Sequence, residues 1–303
     1  MKYNHTLDAA KGILILLVIL GHILSGGELT GYIKYTIYTF HMPLFFGISG
    51  FMLKKELFFV PFTDLAKKYF HRLIIPFIFA YVVYSLMEGR LLDPLYPWFH
   101  LWFIPAFLLF ILYLYIIEYL KINILLMLLI SFTFSILWTG YYSFKAETDG
   151  LYFMGDKRFY YDFVFLLFGY YLRNYAKSFN LNWLILSILF VCSAVDIFIL
   201  NSKAEISFLY SASWAVFNLS LIYITLQLAH VFPSIKLSLI NQIGQASLPI
   251  YLWHIVPLLI VQEIFTGYFY LLSYLVGVTV IIGIVLRLRE TKFGKVILFG
   301  SEK

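Results

Sequence analysis

Apolar runs long enough to cross a bilayer recur from one end of this 303-residue chain to the other. In hydrocarbon such a run has one common solution, a helix whose backbone groups bond to each other. Ten spans are predicted, over residues 8–25, 33–53, 73–88, 100–118, 122–140, 159–173, 181–200, 208–230, 246–262 and 269–288. The expected fold class is therefore all-α, a polytopic membrane protein with about ten transmembrane helices. Charged residues are only 13% of the chain. Ordinary soluble domains carry about 25%, and that class is excluded. The first run has no small-residue cleavage site and reads as a retained signal-anchor helix. Aromatic doublets such as Tyr141-Tyr142 and Tyr170-Tyr171 stand at span ends, as in an interfacial belt. A single cysteine, Cys192, rules out an intramolecular disulfide.

Charge orients the spans. With the N-terminus inside, alternation leaves only Lys34, Arg90, Lys145, Lys157, Arg158 and Lys203 of the 22 lysines and arginines outside. This positive-inside bias predicts cytoplasmic N- and C-termini. It also accounts for the net charge of +6 without a nucleic-acid partner. Short loops and the lack of a repeat suggest one membrane-embedded domain over residues 1–303. Residues 54–72 are expected to form a cytoplasmic amphipathic loop, with Thr63 or Asp64 capping a short surface helix. Residues 141–158 form the longest external loop.

Ionisable groups inside a span are costly and usually mark a protein interior or a cavity. The first span carries three: Asp8, Lys11 and His22. Lys11 and His22 are eleven residues apart, which returns to within about 20° of the same helix face and separates them by roughly 16 Å. Asp8 lies one turn before Lys11 and reads as its ion-pair partner. His41, on the oppositely directed second span, falls at nearly the depth of His22. The two imidazoles suit proton transfer; they equally suit bonding to each other or to carbonyls freed near Pro43. Lys11, Lys67, Lys68, His71 and Arg72 suit phosphate binding, with ordinary positive-inside charge as the competing reading. Ser49-Gly50 permits either close approach of a ligand or helix packing. No metal-ligand spacing, phosphate-binding glycine loop or Gly-x-Ser-x-Gly elbow is present.

Several motifs occur together in order. They are Asp8-Ala9-Ala10-Lys11-Gly12-Ile13 with His22, Phe40-His41-Met42-Pro43 through Ser49-Gly50, Arg72-Leu73-Ile74-Ile75-Pro76, His100-Leu101-Trp102-Phe103-Ile104, and Ile243-Gly244-Gln245-Ala246-Ser247-Leu248-Pro249-Ile250-Tyr251-Leu252-Trp253-His254. Over essentially its whole length the chain resembles the acyltransferase-3 family of bacterial integral-membrane acyltransferases, most of all its fucose 4-O-acetylase-like branch. The resemblance implies a ten-helix core and transfer of an acyl group from cytoplasmic acyl-CoA to a hydroxyl of a cell-surface or lipid-linked glycan. It implies a multi-pass location in the bacterial inner membrane, and acetyl as the group moved. His22 matches the essential first-span histidine. Lys11 matches a basic position that is arginine in many members. No C-terminal esterase-like domain follows the membrane core, so the activity is expected within it.

On this reading His22 and His41 are the catalytic pair. Lys11, Arg72, Lys68, Lys67 and Ser49 hold the acyl-CoA, and Trp102, His100 and His254 contact the acceptor. His100 is expected at the glycan entrance. No permanently bound cofactor or metal is expected; acetyl-CoA or another acyl-CoA is a donor substrate. The expected partners are acyl-CoA, the glycan and the bilayer, with homo-oligomerisation left open. The competing readings are a polytopic exporter of a glycan or small solute, and a membrane subunit without activity. Secondary transporters often show internal repeats of spans, and none is visible here.

Overall fold

A computed structural model describes residues 4–24, 28–89, 100–144, 158–176, 182–200, 208–264 and 267–300. Most of the expected external loop at 141–158 therefore lies outside the described residues. The helices are, in order, α1 His5–Ile23, α2 Glu28–Met52, α3 Phe62–Tyr69, α4 Ile75–Met87, α5 Phe103–Tyr119, α6 Ile124–Phe144, α7 Arg158–Tyr161, α8 Phe163–Asn174, α9 Trp183–Val195, α10 Phe208–Val231, α11 Ser238–Gln245, α12 Ser247–Trp253, α13 Val256–Ile264, α14 Gly267–Leu288 and α15 Lys292–Ile297. No strand occurs among the described residues.

Five stretches are long and apolar enough to cross a membrane: His5–Ile23, Phe62–Met87, Trp183–Leu200, Phe208–Val231 and Leu271–Leu288. A sixth is broken, Ser238–Gln245 and Ser247–Val261 meeting at 71°. Phe103–Tyr119 and Ile124–Thr139 are shorter apolar helices. The stretches over α9 and α14 leave most of their apolar side chains on the surface. Only lipid tolerates such faces, so the all-α fold is that of a membrane protein.

Two expected boundaries shift. The helix read from residue 73 begins at Phe62, because α3 runs through a π-turn at Phe70–Ile74 into α4. Its buried positions, Leu65, Tyr69, Leu73, Pro76, Ala80 and Tyr84, keep helical spacing throughout. Thr63 and Asp64 consequently sit inside the first turn rather than capping it. Pro76 lacks the N–H that would reach the Arg72 carbonyl, and the π-turn accommodates it by bonding Ile75 to Phe70 instead. The span read at 246–262 starts at the break at Ala246 that separates it from α11, and is itself interrupted at His254-Ile255. Pro249 and Pro257 supply the local reason, since neither can donate to the turn before it.

The described residues group into two compact units interleaved along the chain. The first comprises Met1–Ile37, Phe62–Ile104 and Phe232–Lys303; the second comprises Tyr38–Pro61 and Pro105–Val231.

In the first unit α1 packs most extensively on α11. Gly12 and Gly244 set the distance. A Cβ on Gly244 would overlap the Asp8 carbonyl oxygen, and one on Gly12 would overlap that of Ile240. Asn4 caps α1 by accepting from the Leu7 N–H at 3.1 Å. The next residues are tied to the segment before α11. His5 N–H donates to the Pro233 carbonyl at 2.9 Å, and the Thr6 hydroxyl donates to that of Phe232.

The second unit is built on α8, whose residues Phe163–Leu167 are all buried. Its partner α2 contains Pro43, which deprives the Thr39 carbonyl of a helical donor. Two side chains of α10 replace it, Trp214 Nε1 at 2.8 Å and Asn218 Nδ2 at 3.1 Å. Gly50 and Gly169 let α2 and α8 touch. A Cβ on Gly50 would overlap the Leu166 carbonyl, and one on Gly169 that of Gly47. The alternative left open for Gly50 thus resolves as helix packing.

Gly244→Ala is expected to destabilise the protein by about 1–3 kcal/mol, as overpacking does. A Cβ on Gly283 meets nothing within 4 Å, so Gly283→Ala should leave stability unchanged. Thermal unfolding of the detergent-solubilised variants measures both.

Candidate active site

The α1–α11 crossing carries the charged end of the site. Asp8 Oδ1 meets Lys11 Nζ at 2.8 Å, and the two side chains are 7% and 14% exposed. Their i, i+3 spacing on α1 makes the contact a local one. Gln245, the last residue of α11, donates Nε2–H to Asp8 Oδ2 at 3.3 Å. Both carboxylate oxygens therefore face a donor. Such a pair holds a cation in a poorly hydrated place without leaving its counter-charge unsatisfied. Asn241, one turn earlier, fixes the crossing by donating to the His5 carbonyl at 2.5 Å.

His22, in the last turn of the same helix, is half-buried. Its ring lies 5.3 Å from that of His254, centroid to centroid. His254 follows α12 directly and is fully buried. Its Nδ1 is 2.8 Å from the Tyr251 carbonyl and 3.3 Å from that of Ile250. A nitrogen between two carbonyl oxygens must carry the proton, which leaves Nε2 with its lone pair. Nε2 is buried and meets no hydrogen-bond partner among the described residues.

The third imidazole arrives from another segment. His100 is buried, with its ring centroid 5.3 Å from that of His254. Because α12 ends at Trp253, the Leu252 carbonyl belongs to a helix terminus and needs an outside donor. The Tyr84 hydroxyl of α4 supplies one at 2.7 Å, and His100 Nε2 lies at 3.4 Å. The Tyr84 ring also packs edge-on against His100 at 5.1 Å. The broken helix thus gathers His22, His100 and His254 in one place. Among the described residues no group of three or more His, Cys, Asp or Glu side chains is arranged to hold a metal ion.

The other predicted residues belong to other elements. Trp102 is buried in the turn before α5. Lys67, Lys68 and Arg72 occupy exposed positions along the α3–α4 helix, and His71 is half-buried. Gly300, at φ +57, packs its backbone onto the His71-Arg72 turn, where a Cβ would overlap the His71 carbonyl. His41 and Ser49 belong to the second unit. His41 is buried on α2, 5.2 Å from the Tyr38 ring, and Ser49 is half-buried.

Sequence reasoning did not single out Tyr84 or Gln245. Gln245 stood inside a quoted motif, where a polar residue at the end of an apolar helix was the available signal. Tyr84 offered no such signal, being one aromatic among the many at this chain's span ends.

A family profile described as an acyltransferase domain matches residues 4–288. Two proteins named nodulation protein NolL are similar to parts of the chain. The one from Mesorhizobium japonicum is 35% identical over 96 residues, covering 29% of this chain and 26% of its own length. The one from Sinorhizobium fredii is 39% identical over 82 residues, covering 24% and 22%. The chain thus spans about a quarter of the length of the curated relatives it matches. No solved structure matches it. With the profile running through both compact units, the chain belongs to the acyltransferase-3 family of membrane acyltransferases.

Proposed function

We propose that this acyltransferase moves an acyl group, most simply acetyl, from acyl-CoA on the cytoplasmic side to a hydroxyl of a cell-surface or lipid-linked glycan. The observation that carries this reading is the contact between His22 and the buried His254. It supports an imidazole base whose surroundings are built to receive a proton. The charge bias of the sequence supports the ten-span bacterial inner-membrane topology, with both termini in the cytoplasm.

In the proposed reaction His22 takes the hydroxyl proton as the sugar oxygen attacks the thioester carbonyl. The carbon–oxygen bond forms and the carbon–sulfur bond breaks. The departing thiolate then takes the proton from His22, so the enzyme ends as it began. His254 acts as a positioning residue. Its Nε2 is buried without a hydrogen-bond partner among the described residues, and its ring centroid is 5.3 Å from that of His22, near enough for one water or a small rotation to link the two rings. Tyr84 and His100 hold the Leu252 carbonyl and, through it, the end of α12.

Lys11 is proposed to meet the anionic part of the donor, with Lys67, Lys68 and Arg72 offered to it by the positive charge of the cytoplasmic face in the sequence. The lysine at position 11 makes a point-charge contact rather than a bidentate one, and it shares its charge with Asp8. His41 as a second imidazole and Trp102 as an acceptor contact rest on sequence and resemblance.

His22→Ala should abolish acylation of the glycan, with a fall of at least about 100-fold in rate, while the protein still inserts in the membrane. Mass spectrometry of the native glycan reads the result, and persistence of the acyl mass would overturn the mechanism. His254→Gln is close in volume and removes the imidazole Nε2. It should lower kcat by about 10-fold or more, alter the pH–rate profile and leave KM for acyl-CoA unchanged. A change in KM alone would reassign His254 to binding. Lys11→Met takes the ammonium from the buried Asp8 carboxylate, and is expected to destabilise the protein by about 3–5 kcal/mol. Asp8→Asn combined with Lys11→Met should restore stability but not donor affinity, whereas Lys11→Arg should retain both. Recovery of affinity in the double variant would remove Lys11 from donor binding.

A further inference from the structure

We propose that the second unit binds an anionic phospholipid of one net negative charge, its head between Lys55 and Lys121 and a hydrocarbon chain in the groove between α5 and α6. The site does not involve the histidine cluster and stands independently of the acyl-transfer reading.

A cavity of about 550 Å³ is lined by Lys55, Phe59, Glu118, Lys121, Asn123 and Tyr175, among others. Lys55 is held there from both ends. Its N–H donates to Asn174 Oδ1 at 3.0 Å, while its ammonium lies 3.5 Å from Glu118 Oε2 and 4.4 Å from the Tyr175 ring centroid. Hydrogen bonding to the Tyr175 phenol, then the Glu118 charge, hold Lys55 above the usual lysine range, so it remains a cation. Glu118 is buried and already engaged. Its Oε1 accepts from the Tyr170 hydroxyl at 2.8 Å and the Tyr175 hydroxyl at 2.5 Å. With both carboxylate oxygens occupied, two lysines against one carboxylate leave one surplus positive charge at the cavity.

Lys121 is a second, independent pointer. It closes α5 at φ +54, in the left-handed region where helices usually end on glycine. The helix-closing bond that requires this conformation is present, from Ile122 N–H to the Ile117 carbonyl at 2.9 Å. A strained lysine therefore stands where glycine would fit without strain, on the wall of a cationic cavity. Among the described residues no carboxylate pairs with it.

Ile122 also lines a second, apolar cavity of about 360 Å³. This one follows Tyr113 and Ile117 on α5 and Met127, Ile130 and Phe134 on α6. The α6 residues recur at three and four positions, which is one helix face. From Ile124 to Phe134 that face extends about 15 Å. A free anion would fill only the first cavity, and a hydrocarbon only the second. Ile122 stands in the wall of both, so the two lie side by side, as a molecule with both parts requires. Acyl-CoA also has two parts, but its head carries several phosphates, and one surplus charge matches a single phosphodiester better.

The test is native mass spectrometry of the purified full chain with phosphatidylglycerol, phosphatidylcholine, glycerol phosphate and palmitoyl-CoA, each titrated separately. Phosphatidylglycerol should bind tightest. Lys121→Gly relieves the backbone strain, so the fold is kept. It should weaken phosphatidylglycerol binding by about five-fold, the effect of roughly one basic residue at a lipid surface, and leave phosphatidylcholine binding unchanged. Phosphatidylcholine binding as tightly, or Lys121→Gly binding phosphatidylglycerol as well as the parent, overturns the proposal. Glycerol phosphate matching the lipid would make this a site for a soluble anion, and palmitoyl-CoA binding tighter would make it a donor site. Either result also overturns it.

Discussion

In hydrocarbon a backbone carbonyl that loses its helical donor finds no water to replace it, and each such group costs several kcal/mol. Much of this structure follows from that constraint. Pro43 takes the donor from Thr39, and Trp214 and Asn218 reach across from α10 to supply others. The end of α12 exposes the Leu252 carbonyl, and Tyr84 and His100 converge on it. His100 thereby comes to stand beside His254. A repair of the main chain and the assembly of a polar cluster are the same event here.

Lipid also withholds the usual force for packing helices, since their partners are no more apolar than the acyl chains around them. Close backbone approach takes its place. Gly12 against Ile240 and Gly244 against Asp8 bring α1 and α11 to touching distance. Only at that distance can the short Gln245 side chain reach the Asp8 carboxylate. The glycines therefore act on the charged pair without contributing a single polar atom to it.

The parts of the fold legible in the sequence were those governed by local periodicity. The helical class followed from run length, and the Asp8–Lys11 contact from a spacing of three residues on one helix. What the sequence did not disclose was every feature set by helix breaks and by contacts distant in the chain. Run length alone carried residues 246–262 through as one unbroken span, because hydropathy registers neither the turn at His254-Ile255 nor the 71° bend by which Ser238–Gln245 leads into it. Charge pattern separated Lys67, Lys68 and Arg72 from the helix they share with Tyr84, since polarity marks where a helix leaves lipid rather than where it starts. His22 and His41 were matched by depth along their helices. Depth carries no information on contacts distant in the chain, and the His22 ring lies 5.3 Å from that of His254, more than two hundred residues away.

The attachment of α1 to the α11 segment has a consequence for biogenesis. Asn241 reaches His5 across 236 positions of sequence, and Thr6 reaches Phe232 across 226. At ribosomal speeds of about 5–20 residues per second, α1 is complete at least ten seconds or so before its packing partner exists. Throughout that interval its carboxylate and ammonium are without Gln245. They can persist in the first helix because each is the other's counter-ion one turn away, so α1 enters the membrane electrically balanced and waits there for the late segment that fixes it.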